Sequence, residues 1–328
     1  MQSFRALLTE ISPAGIASSK LQTLSSDFLP DAEVLIRVEY SSLNYKDALS
    51  ASGHKGITRN FPHIPGIDAA GVVVSDKSGT FASGLAVLVT GFDLGMNTHG
   101  GLSEFICVPA SWVVEIPAGL STRVAMQWGT AGLTAAMAVD ALILNQVSPE
   151  KGEILVTGAS GGLGMIAIRL LSRLGFSVTA LSGKPELEDH LKAMGATRVI
   201  SRQEFGAEPI RALYAMEYAG GIDTLGGDYL VHLVKRLKYG GAVAVCGMAA
   251  GVELPLQVYP FILRGVRMLG IYSAESPLFY KQNLWAKIAT DWSVDLTNLC
   301  QEITLDEVPD FLEKMLAGTS SGRYLVKI

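Results

Sequence analysis

Ile154-Leu-Val-Thr-Gly158-Ala159-Ser160-Gly161-Gly162-Leu163-Gly164 runs directly into Met165-Ile-Ala-Ile-Arg-Leu-Leu-Ser-Arg-Leu174-Gly175. The order is an apolar strand, a glycine turn and an apolar-faced helix, which is the context a dinucleotide-binding turn requires. Gly161 lets backbone N–H groups approach a pyrophosphate, and Gly164 lets the helix pack closely on the strand. The helix N-terminus adds the positive end of its dipole. Ala159 stands where the first glycine of the G-x-G-x-x-G pattern is expected.

Around this turn, strand-sized apolar runs alternate with helical patterns from about residue 124. The strands are read at EILVTG, FSVTALSG, ATRVIS, GIDTLGG, GGAVAVCG and VRMLGIY. The helical segments MIAIRLLSRLG and PELEDHLKAMG each end in a glycine that suits a helix C′ position. Such alternation predicts an α/β fold with a doubly wound parallel sheet. Before residue 120 the texture differs: AEVLIRVEYSSLN, GIDAAGVVVS, LAVLVTGF and SEFICVPASWVVEIP are short β-branched runs bounded by Gly, Pro and Ser, which predicts a β-rich, barrel-like unit. After about residue 299 come a short helix over 309–317 and a last strand, RYLVKI. The expected domains are 1–123 with 298–328, and 124–297.

Composition narrows the function. The 328 residues are 49% hydrophobic and 17% charged, with 35 glycines, which describes a well-cored globular chain. A net charge of −5 offers no basic field for nucleic acid or anionic lipid. Mean hydropathy is +0.33, yet the longest charge-free stretch, Val124 to Val139, is 16 residues and carries Gln127, Thr130 and Thr134. That is short of the roughly 20 apolar residues of a membrane span. The start, MQSFRALLTE, has no apolar signal-peptide core. Cys107, Cys246 and Cys300 are odd in number and far apart, against a disulfide framework. The expectation is a cytoplasmic protein without nucleic-acid or membrane partners.

The strand after the glycine turn decides the cofactor. An NAD site places Asp or Glu about 20 residues on, at the ribose 2′-hydroxyl. Here the strand ends in Ser182-Gly183-Lys184, with Arg202 at the end of the next one. A hydroxyl and two cations suit a 2′-phosphate, so the reading is NADPH. The TGASGGLG string also fits short-chain dehydrogenases. That family needs a Tyr with Lys four positions on, and none of the ten tyrosines has one.

A β-rich unit, a central dinucleotide domain and a returning tail together resemble the medium-chain dehydrogenase/reductase superfamily. Ser41-Ser42-Leu43-Asn44-Tyr45-Lys46-Asp47, Pro65-Gly66-Ile67-Asp68, Gly129-Thr130-Ala131-Gly132-Leu133-Thr134-Ala135 and Pro260-Phe-Ile-Leu-Arg264 are similar to its YhdH/AcuI-type branch. The branch was long labelled quinone oxidoreductase and includes NADPH-dependent acrylyl-CoA reductases. The resemblance spans essentially the whole chain and implies a Rossmann domain plus a GroES-like barrel. Zinc members use a Gly-His-Glu histidine and a four-cysteine lobe. This chain has Gly66-Ile67-Asp68 and three cysteines, so the reading is no metal, the five histidines being scattered.

What the resemblance implies for residues is specific. Tyr45, Asn44 and Asp68 are the catalytic candidates: Tyr45 as donor to a carbonyl or to the nicotinamide ribose, Asn44 also as helix N-cap with Asp47 at N3, Asp68 as a carboxylate orienting Lys46 or an active-site water, with a purely structural pairing as its alternative. Tyr45, Ser160, Gly161, Gly162, Leu163, Ser182, Gly183, Lys184, Arg202, Met248, Ile262, Ser273 and Arg323 match cofactor contacts. Met248 has a plainer reading as core. His54, Lys55, Arg59 and His63 form a basic cluster that suits coenzyme A phosphates or simply a solvated face, and His99 reads as loop surface. The implied activity is metal-free reduction of an activated carbon–carbon double bond, with an acyl-CoA thioester or a quinone as substrate. A cofactor-binding protein with little catalysis is the alternative of another class. Glycine-flanked strands at the late sheet edge point to a homodimer.

Overall fold

The computed structural model describes residues 2–207 and 211–328. Two compact units emerge: Met1–Thr130 with Ser273–Thr290 and Asp295–Ile328, and Ala131–Tyr272 with Asp291–Val294. They do not coincide with the expected boundaries at 123 and 298. The helix Leu278–Ala289, assigned by sequence to the central domain, belongs to the first unit, because Lys281 and Trp285 are buried in that unit's interior.

The second unit carries a six-stranded parallel sheet. Its order across the sheet is Arg198–Ser201, Val178–Ser182, Ile154–Thr157, Tyr218–Asp223, Leu237–Val245 and Arg267–Gly270. In chain order this is 3-2-1-4-5-6, the doubly wound arrangement of dinucleotide-binding domains. Strands such as Ile154–Thr157 and Val178–Ser182 are buried along their whole length, as expected where helices cover both faces. The helix Gly162–Arg173 turns Met165, Ile166, Ile168, Leu170 and Leu171 inward. Leu155, Leu181, Leu233, Leu237 and Val243 pack into one core, each worth roughly 1.5–3 kcal/mol when fully buried.

One strand differs from expectation. GIDTLGG is not a strand throughout: the strand is Tyr218–Asp223, Thr224 to Gly226 turn away, and Gly227 opens the helix Gly227–Arg236. Gly226 and Gly227 take φ of 68° and 53°, which a strand cannot accommodate.

The first unit holds a seven-stranded sheet in which Val34–Ser42 and Asp68–Asp76 are central neighbours. Arg323–Lys327 pairs antiparallel with Tyr40 to Ser42, so the tail returns to the β-rich unit. Two further features were not foreseen: the hairpin of Ser3–Ile11 with Ala17–Ser25, and the strand Cys300–Thr304 beside the C-terminal strand. Among the described residues, no helix is long and apolar enough to cross a membrane.

Candidate active site

The glycine turn joins the strand Ile154–Thr157 to the helix Gly162–Arg173, with Gly161 at the N-cap. The tight-turn glycine is Gly158, one position before the expected one: its φ is +60°, and a Cβ there would run into Thr224 Oγ1. Ala159 is buried but does not take a positive φ, so a side chain is tolerated there. A Cβ on Gly164 would stand 2.5 Å from the Gly158 carbonyl oxygen, so helix and turn touch backbone to backbone. A Cβ on Gly161 would meet only the Gly158 carbonyl, at 3.4 Å. The turn is therefore open where a pyrophosphate would lie, and the helix's first N–H groups are the donors for it.

At the neighbouring strand end, Ser182 Oγ accepts the Lys184 N–H at 3.0 Å. Ser182 pairs in register with Ser201, which brings Arg202 alongside. The Arg202 guanidinium covers Gly183: a Cβ there would stand 2.9 Å from Nε. Lys184 and Arg202 thus meet at one tip, the donor set a dinucleotide's 2′-phosphate needs. In the same unit Met248 is 70% and Ile262 73% exposed, which removes the core reading of Met248. Of the candidates, Ser160 to Leu163, Ser182 to Lys184, Arg202, Met248 and Ile262 lie in the second unit; Asn44, Tyr45, Asp68, Ser273 and Arg323 lie in the first.

In the first unit the candidates sort into one exposed phenol and a buried hub. Asp68 is fully buried. Its Oδ2 accepts Ser42 Oγ–H at 2.7 Å and Asn44 Nδ2–H at 2.7 Å. Its Oδ1 accepts Thr130 Oγ1–H at 2.6 Å, and the Thr130 backbone N–H lies within 3.0 Å of both oxygens. Arg323 lies 3.9 Å away as counter-ion. Arg323 also donates to the carbonyls of Leu43 and Trp128, to Asn44 Oδ1 and to Ser42 Oγ. Asp68 is thus a buried, hydrogen-bonded carboxylate with Arg323 as a counter-ion. Asn44 has both ends of its amide hydrogen-bonded inside the hub. Arg323 likewise serves the hub.

The hub fixes the start of the helix Tyr45–Ala51. Asp47 Oδ2 accepts the Asn44 N–H at 2.7 Å, closing the expected capping box, and Oδ1 accepts the Ile67 N–H at 2.8 Å. Tyr45, the first helical residue, is 56% exposed. It is the one exposed residue among the three catalytic candidates. Burial, with the charge of Asp68 nearby, pushes the Asp47 carboxyl up to about 7. A folded-state value above the unfolded one means the native state binds more protons between about pH 4 and 7. Stability therefore falls as pH rises through that window. Chemical denaturation of wild type at pH 5 and pH 8 is expected to show this loss, and D47N is expected to show less of it.

Sequence reasoning missed several members. Gly129 breaks the helix Thr122–Leu144 with φ 50° and ψ −156°, and a Cβ there would stand 2.6 Å from both Arg323 and Asp68. Lys281, fully buried, donates from Nζ to the carbonyls of Thr90 (2.7 Å) and Ala274 (2.8 Å) and lies 3.5 Å from the Phe92 ring centroid. Burial lowers its pKa to about 7. Thr90 is the register partner of Asp68. Two expectations shift: His99 stacks on Phe28 at 4.5 Å, and burial with His63 beside it drives its pKa to about 4. His63 is buried, leaving His54, Lys55 and Arg59 as the exposed cluster.

Ile67, where zinc members place a ligand histidine, is buried and offers no lone pair. The chain matches the alcohol dehydrogenase GroES-like domain over residues 30–118 and the zinc-binding dehydrogenase family over 162–290. Acrylyl-CoA reductase AcuI of Ruegeria pomeroyi is 40% identical over 96% of each chain. YhfP of Bacillus subtilis, named a candidate quinone oxidoreductase, is 43% identical over 99% of each. The chain belongs to the medium-chain dehydrogenase/reductases, in the YhfP/AcuI branch. A solved structure of YhfP with NAD bound superposes with a TM-score of 0.97, covering 100% of both chains at 43% identity. The YhdH oxidoreductase of Salmonella enterica, in complex with NADP, gives 0.95 at 43% identity over 99% of each chain. As a member of this family the chain is an oxidoreductase, with the GroES-like and Rossmann architecture that its sequence predicts.

Proposed function

We propose that this medium-chain reductase uses NADPH to reduce a carbon–carbon double bond conjugated to a carbonyl, with acrylyl-CoA to propionyl-CoA as the reaction. The observation that carries the cofactor is the Ser182–Lys184 tip with Arg202 folded over Gly183. Bound NADPH supplies the hydride, which goes to Cβ of the alkene. Charge then gathers on the thioester oxygen as an enolate, and a proton is delivered to Cα. The chain's part is to hold donors at that oxygen, and Tyr45, set by the Asn44–Asp68–Arg323 hub, is the donor. With Ile67 at the ligand position, no alkoxide is polarised by metal, so the reading is a metal-independent enoyl reduction rather than alcohol oxidation.

Two relatives frame the acceptor: one is named for acrylyl-CoA and the other for quinone. The exposed His54, Lys55 and Arg59 favour an acceptor that carries phosphates. Absorbance at 340 nm with acrylyl-CoA and with a simple quinone decides between them. Thioester turnover unaffected by a chelator supports the proposal, and quinone turnover alone makes the quinone the substrate. Lys184→Ala is expected to raise KM for NADPH about tenfold, the loss of one charge-assisted contact, and to leave KM for NADH nearly unchanged. Equal shifts for both cofactors contradict the 2′-phosphate role.

We also propose a homodimer in the cytoplasm. The strand Arg267–Gly270 is the outer strand of its sheet, and Val258, Ile262 and Leu263 close by in sequence are exposed. Light scattering at micromolar concentration is expected to give twice 34.8 kDa; the monomer mass refutes it.

A further inference from the structure

We infer that Thr224, joined to Thr157, whose hydroxyl the buried carboxylate of Asp223 holds, is a positioning residue that sets the phosphate turn against the loop carrying Met248. This rests on the NADPH reading above.

The site lies where the strand order reverses, between Ile154–Thr157 and Tyr218–Asp223. In open α/β sheets the ligand crevice opens at that point, beyond the carboxyl ends of the strands. Asp223 ends its strand there, fully buried. Its Oδ1 accepts Thr157 Oγ1–H at 2.6 Å, and its Oδ2 accepts the Gly226 N–H at 2.8 Å. Burial raises its pKa while these bonds lower it. One carboxylate thus ties the last residue before the phosphate turn to the loop of the next strand.

Thr224 completes the tie from both of its polar groups. Its backbone N–H donates to Thr157 Oγ1 at 3.0 Å, and its Oγ1–H donates to the Thr157 carbonyl at 3.0 Å. Its hydroxyl also occupies the space beside Gly158 that any Cβ there would need. On its other side, the Thr224 carbonyl accepts the Ala249 N–H at 3.3 Å, and the Leu225 carbonyl accepts the Ala250 N–H at 2.8 Å. A Cβ on Gly247 would collide with the Thr224 backbone. Three loops, at 157–161, 223–227 and 246–251, therefore interlock at one threonine. Met248 sits on the third of them, so its place relative to the phosphate turn is measured off Thr224. Ser182, Lys184 and Arg202 belong to other strand ends and are not part of this tie.

That separation makes the role testable by binding alone. Thr224→Val keeps the shape, removes the hydroxyl and leaves the Thr157 carbonyl without its donor. Removing one buried hydrogen bond is expected to weaken binding by about tenfold. The readout is the dissociation constant of NADPH and NADH from nicotinamide fluorescence, with 2′-AMP, which has no 5′-phosphate to reach the turn, titrated by calorimetry as a probe of the Ser182–Lys184 tip alone. T224V is expected to weaken NADPH and NADH by the same factor and to leave 2′-AMP unchanged; T224S is expected to restore wild-type binding. Thr157→Val, which removes the other hydroxyl of the tie, is expected to give the same pattern and stands in if T224V does not fold. Wild-type NADPH affinity in both variants overturns the inference, as does an equal loss of 2′-AMP, which would mark general damage. A wild-type protein that binds neither NADPH nor 2′-AMP would instead overturn the cofactor assignment itself.

Discussion

Gly129→Ala is expected to abolish activity and to destabilise the first unit by about 3–5 kcal/mol, the range for overpacked and strained sites. Two costs combine. A φ of 50° with ψ of −156° is essentially reserved for glycine. The added methyl would also push against Ser42, Arg323 and Asp68 at once, and all three are buried partners of one another. None can retreat without breaking a hydrogen bond that has no replacement. Thermal melting and circular dichroism check the effect. A G129A protein with wild-type melting temperature would show that the hub is far more compliant than its geometry implies.

Arg323→Met is the second large effect. It leaves the Asp68 carboxylate buried without its counter-ion, a change that costs about 3–5 kcal/mol. The Asn44 amide and the carbonyls of Leu43 and Trp128 lose their donor at the same time. Arg323→Lys separates charge from shape. Lysine keeps the positive charge but cannot fork to Leu43, Asn44, Ser42 and Trp128 together. R323K is therefore expected to fold, to keep its affinity for 2′,5′-ADP, and to lose kcat by about tenfold to a hundredfold as the start of the Tyr45 helix shifts. Wild-type kcat in R323K would mean that charge alone matters there.

Much of this was legible because it is local. The strand–glycine–helix sequence around Gly161, the glycine-closed helices and the Asn44–Asp47 capping box are patterns within a few residues. The hub was not legible. Arg323 meets Asn44 across 279 positions and Ser42 across 281, and nothing near Asp68 in sequence announces an arginine from the tail. From sequence alone Asp68 therefore reads equally as a working carboxylate or as a structurally paired one, and the identity of its partners is visible only in the fold. The hairpin strand Ala17–Ser25 escaped notice because none of its residues is buried, so it has no apolar alternation to detect. Cys300–Thr304 buries only Ile303 for the same edge-strand reason. The tie through Thr224 was hidden by reading GIDTLGG as one strand, when the chain turns after Asp223 to reach across to Thr157.

The most direct test of the proposed chemistry follows where the two hydrogens go. Acrylyl-CoA is reduced once with NADPH carrying deuterium at the transferring position of C4 in ordinary water, and once with unlabelled NADPH in deuterium oxide, and the propionyl-CoA is analysed by mass spectrometry and NMR. Cofactor-derived deuterium is expected at Cβ, and solvent-derived deuterium at Cα. Deuterium from the cofactor at Cα, or no propionyl-CoA while a quinone is reduced, would contradict the enoyl reductase assignment.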